Sequence, residues 1–192
     1  MINIFHLSEL NKYSETITPT TILKECNKLT LQDGLVGFEG SVVEEVRKSK
    51  IAFINDKHHV LSNLMFDIAT EINDEHFGFD IHKVESLQYS IYDEKDLGHY
   101  DWHIDTQFIN NNFTQRKISI VVQLSDPTKY KGGNLKLDVA DYGVEWNDTF
   151  QEYANKKGAV IVFPSFVKHT VTPVTKGTRK SLIAWVSGAN FR

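Results

Sequence analysis

Two histidines, one aspartate and one arginine in this sequence stand at spacings that could do chemistry. His103 and Asp105 flank a single residue, and in an extended strand positions two apart point to the same side, so an imidazole and a carboxylate can share one metal ion. His169 follows the apolar run Gly158-Ala-Val-Ile-Val-Phe-Pro164 and supplies a second imidazole. A turn at Lys176-Gly177 then leads into Arg179, so that His169 and Arg179 read as parts of one hairpin. Two imidazoles and one carboxylate on one face of a metal leave other positions open, which suits non-haem Fe(II) and its small-molecule co-substrates better than zinc hydrolysis. Arg179 offers a planar fork for bidentate pairing with a carboxylate. Strand alternation puts Arg179, Ser181, Ile183 and Trp185 on one face, where they could hold the far end of a dicarboxylate.

Taken alone, the His-x-acid pair says little. With 8 histidines and 25 acidic residues in 192 positions, about one such pair arises by chance, and the sequence holds a second, His99-Tyr-Asp101. His58-His59 has no third ligand at helical spacing and reads as a helix surface. Phosphate-loop, dinucleotide-glycine, HExxH and GxSxG patterns are absent. The one cysteine, Cys26, can form neither an internal disulfide nor a cysteine zinc site, which points to a reducing compartment.

The elements that must position these residues divide the chain in two. Thr18-Pro19 suits a helix start, after which Ile22, Leu23, Cys26 and Leu29 repeat at helical spacing, so Cys26 is expected in the core. A stronger amphipathic helix follows Asn55-Asp56, with Val60, Leu61, Leu64, Met65, Ile68 and Ile72 as one apolar stripe. From about Val84 the period changes. Ser86–Tyr92, Lys117–Leu124, Asn134–Val139, Ala159–Phe163 and Arg179–Val186 read as strands, and the C-terminal half reads as all-β. Successive short strands favour a sandwich or jelly roll, with the first-half helices buttressing one sheet. The acidic run Asp93–Asp96 reads as a solvated turn.

Composition narrows the class further. The 192 residues are 41% hydrophobic and 24% charged, ordinary for one globular domain. With 21 basic against 25 acidic residues the net charge is -4, so no global basic field draws the chain to nucleic acid or to an anionic membrane. No basic leader or spanning apolar run is visible, and a soluble cytoplasmic protein is expected.

Jointly, the motifs become specific. His103-x-Asp105, Tyr100 three residues before His103, Leu124-Ser-Asp-Pro-Thr-Lys-Tyr-Lys-Gly-Gly-Asn-Leu135, Phe163-Pro-Ser165, and His169-Thr-Val-Thr-Pro-Val-Thr-Lys-Gly-Thr-Arg179 lie between about Val46 and Trp185. In this the chain resembles the Fe(II)/2-oxoglutarate dioxygenases, in particular the prolyl 4-hydroxylase-like superfamily and, within it, the PKHD-type hydroxylases. The resemblance implies His103, Asp105 and His169 as iron ligands, with Arg179 completing the catalytic set as partner of the 2-oxoglutarate distal carboxylate. Tyr92, Ser181 and Trp185 would line that pocket. The family's aromatic before its first ligand is matched by Tyr100, which leaves His99 and Asp101 without a metal role. Gln123 stands where some relatives have an aromatic residue, so it either bonds 2-oxoglutarate or reshapes the pocket. The segment Asp141–Asn155, with Tyr142, Trp146, Phe150 and Tyr153, is longer than in compact relatives and would either cover substrate or patch the sheet.

The implied fold is mainly β, a double-stranded β-helix or cupin-like jelly roll with supporting N-terminal helices. One domain over 1–192 is expected, with a helix-rich support over about 1–84 and the β core over about 85–190. The implied reaction is hydroxylation of a C–H bond, foremost of a prolyl residue in a peptide or protein, coupled to decarboxylation of 2-oxoglutarate to succinate and CO2. Its requirements are Fe(II), 2-oxoglutarate and O2, with ascorbate as a family expectation. Hydroxylation of a small molecule or free amino acid, a cupin-like enzyme that does without 2-oxoglutarate, and a non-catalytic jelly-roll binding module are the competing readings.

Overall fold

The computed structural model describes residues 2–10, 16–36, 40–55, 59–106, 114–140 and 147–191. Helix α1 (Pro19–Cys26) begins where the sequence places it: Thr18 is extended, its hydroxyl accepts from the Thr21 N–H at 3.2 Å, and Pro19 fills the first position. Helix α2 (Val60–Ile72) is capped by His59, whose ring nitrogen accepts from the Leu61 N–H at 3.2 Å. His58 lies outside the described residues. Leu61, Leu64, Met65 and Ile68 form the buried stripe of α2, each contributing about 2 kcal/mol by leaving water. Val60 does not belong to that stripe: at the first helical position it points outward and is 56% exposed. One π turn (Asn73–Phe77) ends the helix, closed by Gly78 in the left-handed region at φ 66°.

Both helices brace one face of a large antiparallel sheet. Among the described residues it contains β1 (Asn3–His6), β2 (Gln32–Asp33), β4 (Lys50–Ile54), β5 (Lys83–Asp93), β7 (Thr114–Gln123), β8 (Tyr130–Gly132), β10 (Ala159–Pro164) and β12 (Val174–Ala189). The order is β1-β10-β7-β12-β5-β4-β2, with β8 on the start of β12. A smaller sheet, β3-β6-β11-β9, holds β3 (Arg47–Lys48), β6 (His99–His103), β9 (Leu135–Leu137) and β11 (His169–Val171). Two packed sheets with helices on the larger one make the double-stranded β-helix that the motifs imply.

Alternation along the central strands sorts side chains into two cores. Leu87, Tyr89, Ile118, Ile120, Val122, Leu182, Ala184 and Val186 face the helices. Val121, Ile161, Phe163, Ile183 and Trp185 face Leu135, Leu137 and Val171 of the smaller sheet. Cys26 is fully buried in the first core, as its helical spacing predicts.

Beside α1 and α2 the first 84 residues supply β1 and β4, which are paired members of the large sheet. Two expectations are corrected. The C-terminal half is not all-β: α3 (Asp148–Asn155) follows the Asn147 cap and packs on β9 and β10. That helix, carrying Phe150 and Tyr153, patches the sheets, whereas Tyr142 and Trp146 lie outside the described residues. His169 and Arg179 do not share a hairpin either. β11 pairs with β6 and β9, after which Thr172-Pro173 carries the chain across to the large sheet, so the two residues face each other from opposite sheets.

Lys176-Gly177 is not a turn but part of β12, paired with β8, and the start of that strand is held by small contacts. Gly177 adopts φ 70°, and a side chain there would meet the Lys129 backbone carbonyl. The Glu94 carboxylate accepts from the Gly177 N–H at 2.9 Å, and Asp93 accepts from the Thr178 hydroxyl at 2.7 Å. The acidic run thus clasps the strand that carries Arg179. No helix among the described residues is long and apolar enough to cross a membrane.

Candidate metal centre

β6 and β11 are neighbours in the small sheet, and their register sets His169 directly across from His103. Asp105 lies just past the end of β6, where its backbone N–H and that of Thr106 both donate to the Ser165 carbonyl, at 2.9 and 3.1 Å. The three side chains converge, with one ligand atom from each within 4.8 Å of the others. Nε2 of His103 lies 3.8 Å from Oδ1 of Asp105, and Nε2 of His169 lies 3.5 Å from Oδ2.

The hydrogen-bond partners make this a ligand set. Nδ1 of His103 is 2.7 Å from the Asp101 carbonyl, and Nδ1 of His169 is 2.9 Å from the Val167 carbonyl. A carbonyl can only accept, so each ring carries its proton on Nδ1 and keeps the Nε2 lone pair toward the centre. Burial, then the neighbouring His169, pulls the His103 imidazole down to about 4, which leaves it neutral at pH 7. Burial opposes ionisation of Asp105, yet His169, His103 and the Ser119 hydroxyl together hold it below the usual carboxylate range. Two imidazoles that turn Nε2 to the centre and one carboxylate fit a divalent non-haem iron with open positions. The rival pair is elsewhere engaged: Nδ1 of His99 is 3.0 Å from the Leu97 carbonyl, and exposed Asp101 accepts from the Trp102 N–H at 2.7 Å.

From this centre a crevice of about 40 Å³ runs between the sheets toward Arg179, lined by Tyr92, Ser181, Ile183, Trp185, Leu135 and Val171 among others. Arg179 is 3% exposed, directly across from Tyr92 in the register, and its Nη1 donates to the Ser181 hydroxyl at 3.4 Å. Its Nε has no partner, nor have the buried Trp185 Nε1 and Gln123 Oε1. Buried polar atoms left unpaired are costly, and the two donors, Arg179 Nε and Trp185 Nε1, mark a place that an oxygen-rich ligand would satisfy. Gln123 itself stands one step back from the crevice, where its Nε2 donates to the Tyr130 hydroxyl at 2.6 Å.

Four side chains escape sequence reasoning. Ser119 donates to Asp105, Tyr130 lies against Gln123 and Arg179, and Arg47 sits over the ring of Tyr100 at 4.5 Å. Tyr100 in turn stacks on His103, with centroids 3.5 Å apart. Arg116 covers Trp185 at 4.0 Å and pairs with Glu85 at 2.7 Å. Ser119 carries a signal as a position on the strand Lys117–Leu124, and Tyr130 as part of the Leu124–Leu135 motif, whereas Arg47 and Arg116 fall in neither. On the other side of the centre a groove of about 980 Å³ opens outward past Arg47, Phe53, Lys83, Glu85, Arg116 and Trp185.

Comparison with known proteins agrees with this geometry. Residues 87–187 match the profile of the 2OG-Fe(II) oxygenase superfamily. A PKHD-type hydroxylase of Gloeothece citriformis is 30% identical over 157 residues, covering 78% of this chain and 63% of the relative. One of Synechococcus is 34% identical over 87 residues, covering 45% of this chain and 36% of the relative. The chain therefore spans less than two thirds of the length of these relatives. Among solved structures, a Pseudomonas putida prolyl-4-hydroxylase superposes with a TM-score of 0.68 at 22% identity, covering 96% of this chain and 91% of that one. A Trichoplax adhaerens prolyl hydroxylase, bound to a hypoxia inducible factor peptide fragment, gives 0.69 at 18% identity, covering 96% and 82%. With the profile spanning over half of its length, and the same fold in both solved neighbours, the chain belongs to the 2OG-Fe(II) oxygenase superfamily.

Proposed function

We propose that this chain is an Fe(II)- and 2-oxoglutarate-dependent dioxygenase that hydroxylates a prolyl residue in a peptide or protein, releasing succinate and CO2. One observation carries the reading: the Nε2 atoms of His103 and His169 with the Asp105 carboxylate, and the buried guanidinium of Arg179 with its unpartnered Nε, stand at the two ends of one narrow crevice. His103, Asp105 and His169 would hold Fe(II), which with 2-oxoglutarate bound supplies the activation of O2 needed to oxidise a C–H bond.

The remaining residues bind, orient and exclude water. Arg179 pairs with the distal carboxylate of 2-oxoglutarate, aided by Ser181 and the Tyr130 hydroxyl, while Gln123 fixes Tyr130. Tyr92 and Trp185 wall the crevice together with Val121, Leu135, Val171 and Ile183, a lining that keeps bulk water from the reacting atoms. The carbonyls of Asp101 and Val167 fix both imidazole tautomers, and Ser119 fixes the Asp105 carboxylate. Substrate enters by the wide groove, whose volume suits a peptide segment. The whole of 1–192 acts as one domain in this reading, with ascorbate an auxiliary reductant. The prolyl class is supported by the named activities of the Pseudomonas and Trichoplax neighbours.

The test is incubation with Fe(II), 2-oxoglutarate, O2 and a panel of proline-containing peptides. Succinate formed in step with peptides heavier by one oxygen supports the proposal. Absence of any Fe(II)-dependent succinate, with or without peptide, contradicts it.

A further inference from the structure

The dioxygenase reading has no use for Arg47, which, unlike its neighbour Arg116 with Glu85, has no carboxylate partner among the described residues. Arg47 is 5% exposed, so its charge is held almost wholly out of water. Nε donates to the Ser49 hydroxyl at 2.9 Å and Nη1 to the Leu35 carbonyl at 3.0 Å, both neutral acceptors, while Nη2 is buried without any partner. No carboxylate lies within ion-pair reach of it among the described residues. A guanidinium cannot relieve this by losing its proton, so the site is one anion short.

The position of Arg47 says where that anion comes from. On its outer side Arg47 lines a small pocket whose Glu44 and Asp33 are already paired with Lys48 and Lys50, and on its inner side it borders the narrow crevice and the wide groove, next to Tyr100 and His103. Formal charges then decide between the two. Fe(II) with Asp105 and two neutral imidazoles carries one net positive charge, and dianionic 2-oxoglutarate with Arg179 carries one net negative charge. These cancel and leave Arg47 unneutralised. Farther out, Arg116 is neutralised by Glu85 at 2.7 Å, whereas Lys83 adds another positive charge to the same groove. Co-substrate is thus accounted for before Arg47 is reached, and the groove stays cationic.

We propose that the substrate carries a carboxylate, which Arg47 receives at the inner end of the groove; this rests on the dioxygenase reading above. The carboxylate belongs either to an acidic side chain beside the oxidised residue of a peptide or to the α-carboxyl of a free amino acid. Nη2 supplies the unused donor, and the planar fork suits a carboxylate better than a lone carbonyl.

The experiment uses the full chain loaded with Mn(II) and N-oxalylglycine, so that nothing turns over, and reads binding by tryptophan fluorescence and calorimetry. Probes are short proline-containing peptides that differ only in carrying Asp or Glu, Asn or Gln, or Lys beside the proline, together with free L-proline and L-prolinamide. The expected result is that acidic peptides bind about tenfold or more tightly than their amide counterparts, or that L-proline does so relative to L-prolinamide. The preference should fall below about twofold in Arg47→Gln, persist in Arg47→Lys and weaken with salt in the wild type. Amides bound as well as acids by the wild type overturn the proposal without reference to any variant, as does a panel in which nothing binds. An acid preference unchanged in folded Arg47→Gln overturns the role of Arg47. Failure of the dioxygenase reading is seen separately, in metal-free chain given Fe(II) and then 2-oxoglutarate under argon, as absence of 2-oxoglutarate chelation to the iron.

Discussion

The Ser119 hydroxyl donates to Oδ2 of Asp105 at 2.7 Å, and Ser119 is fully buried. It faces inward because β7 alternates, sending Ile118 and Ile120 to the helices and Ser119 and Val121 to the space between the sheets. A second hydroxyl, that of Ser165, stands 2.9 Å from it, and the Ser165 carbonyl anchors the Asp105 backbone. The ligand is therefore oriented from both its side chain and its main chain.

Ser119→Ala should weaken Fe(II) binding by about tenfold or more while leaving the fold intact, because it removes the bond that orients the carboxylate and deletes one small atom. Equilibrium dialysis of iron against wild type and variant, with circular dichroism of both, checks this. Equal affinities would remove Ser119 from the site.

Arg179→Lys keeps the charge but loses the fork, and should raise the dissociation constant for 2-oxoglutarate by about tenfold, with Arg179→Met about a hundredfold worse than wild type. Metal affinity should stay unchanged, since Arg179 lies at the far end of the crevice. Calorimetry on the Mn(II)-loaded protein separates the two constants. A variant that lost both together would point to collapse of the crevice instead.

The outer core predicts alkaline lability. Burial, with Glu25 adding to it, pushes the Cys26 thiol up to about 12, and burial raises the Tyr89 hydroxyl to about 12 as well. Both folded values exceed the ordinary 9.0 and 10.0. The protonated forms therefore favour folding, and their stability is full below about pH 9 and is lost as pH rises toward 12. Urea unfolding at pH 8 and near pH 11 should show a fall in stability that Cys26→Ala partly removes. The same slope in wild type and variant would contradict the assignment. The thiol should also resist modification at pH 8 until the chain unfolds.

Much of this site was legible because strand alternation is local. Arg179, Ser181, Ile183 and Trp185 share a face by period alone, and the short spacing of His103 and Asp105 keeps them together even though Asp105 lies beyond the strand and is anchored by Ser165. What escaped depends on register between distant segments. Arg47 meets Tyr100 because β3 pairs with β6, and nothing within either strand announces that pairing. Tyr130 reaches Gln123 because β8 and β7 both lie against β12. The hairpin expected between His169 and Arg179 fails for the same reason: a short spacing fits a hairpin and a crossover between sheets equally well, and the chain crosses at Thr172-Pro173 while Gly177 lies within β12. β4 is a short apolar run, Ile51-Ala-Phe-Ile54, without alternation to mark it, and Val60 follows the helical period but stands 56% exposed at the first helical position.

The most direct measurement is the visible absorption spectrum of metal-stripped protein under argon as Fe(II) and then 2-oxoglutarate are added. The geometry of His103, Asp105, His169 and Arg179 predicts a weak metal-to-ligand charge-transfer band on the second addition, saturating at one 2-oxoglutarate per iron and lost in Asp105→Ala. Iron bound at the three ligands with no band on adding 2-oxoglutarate would contradict it.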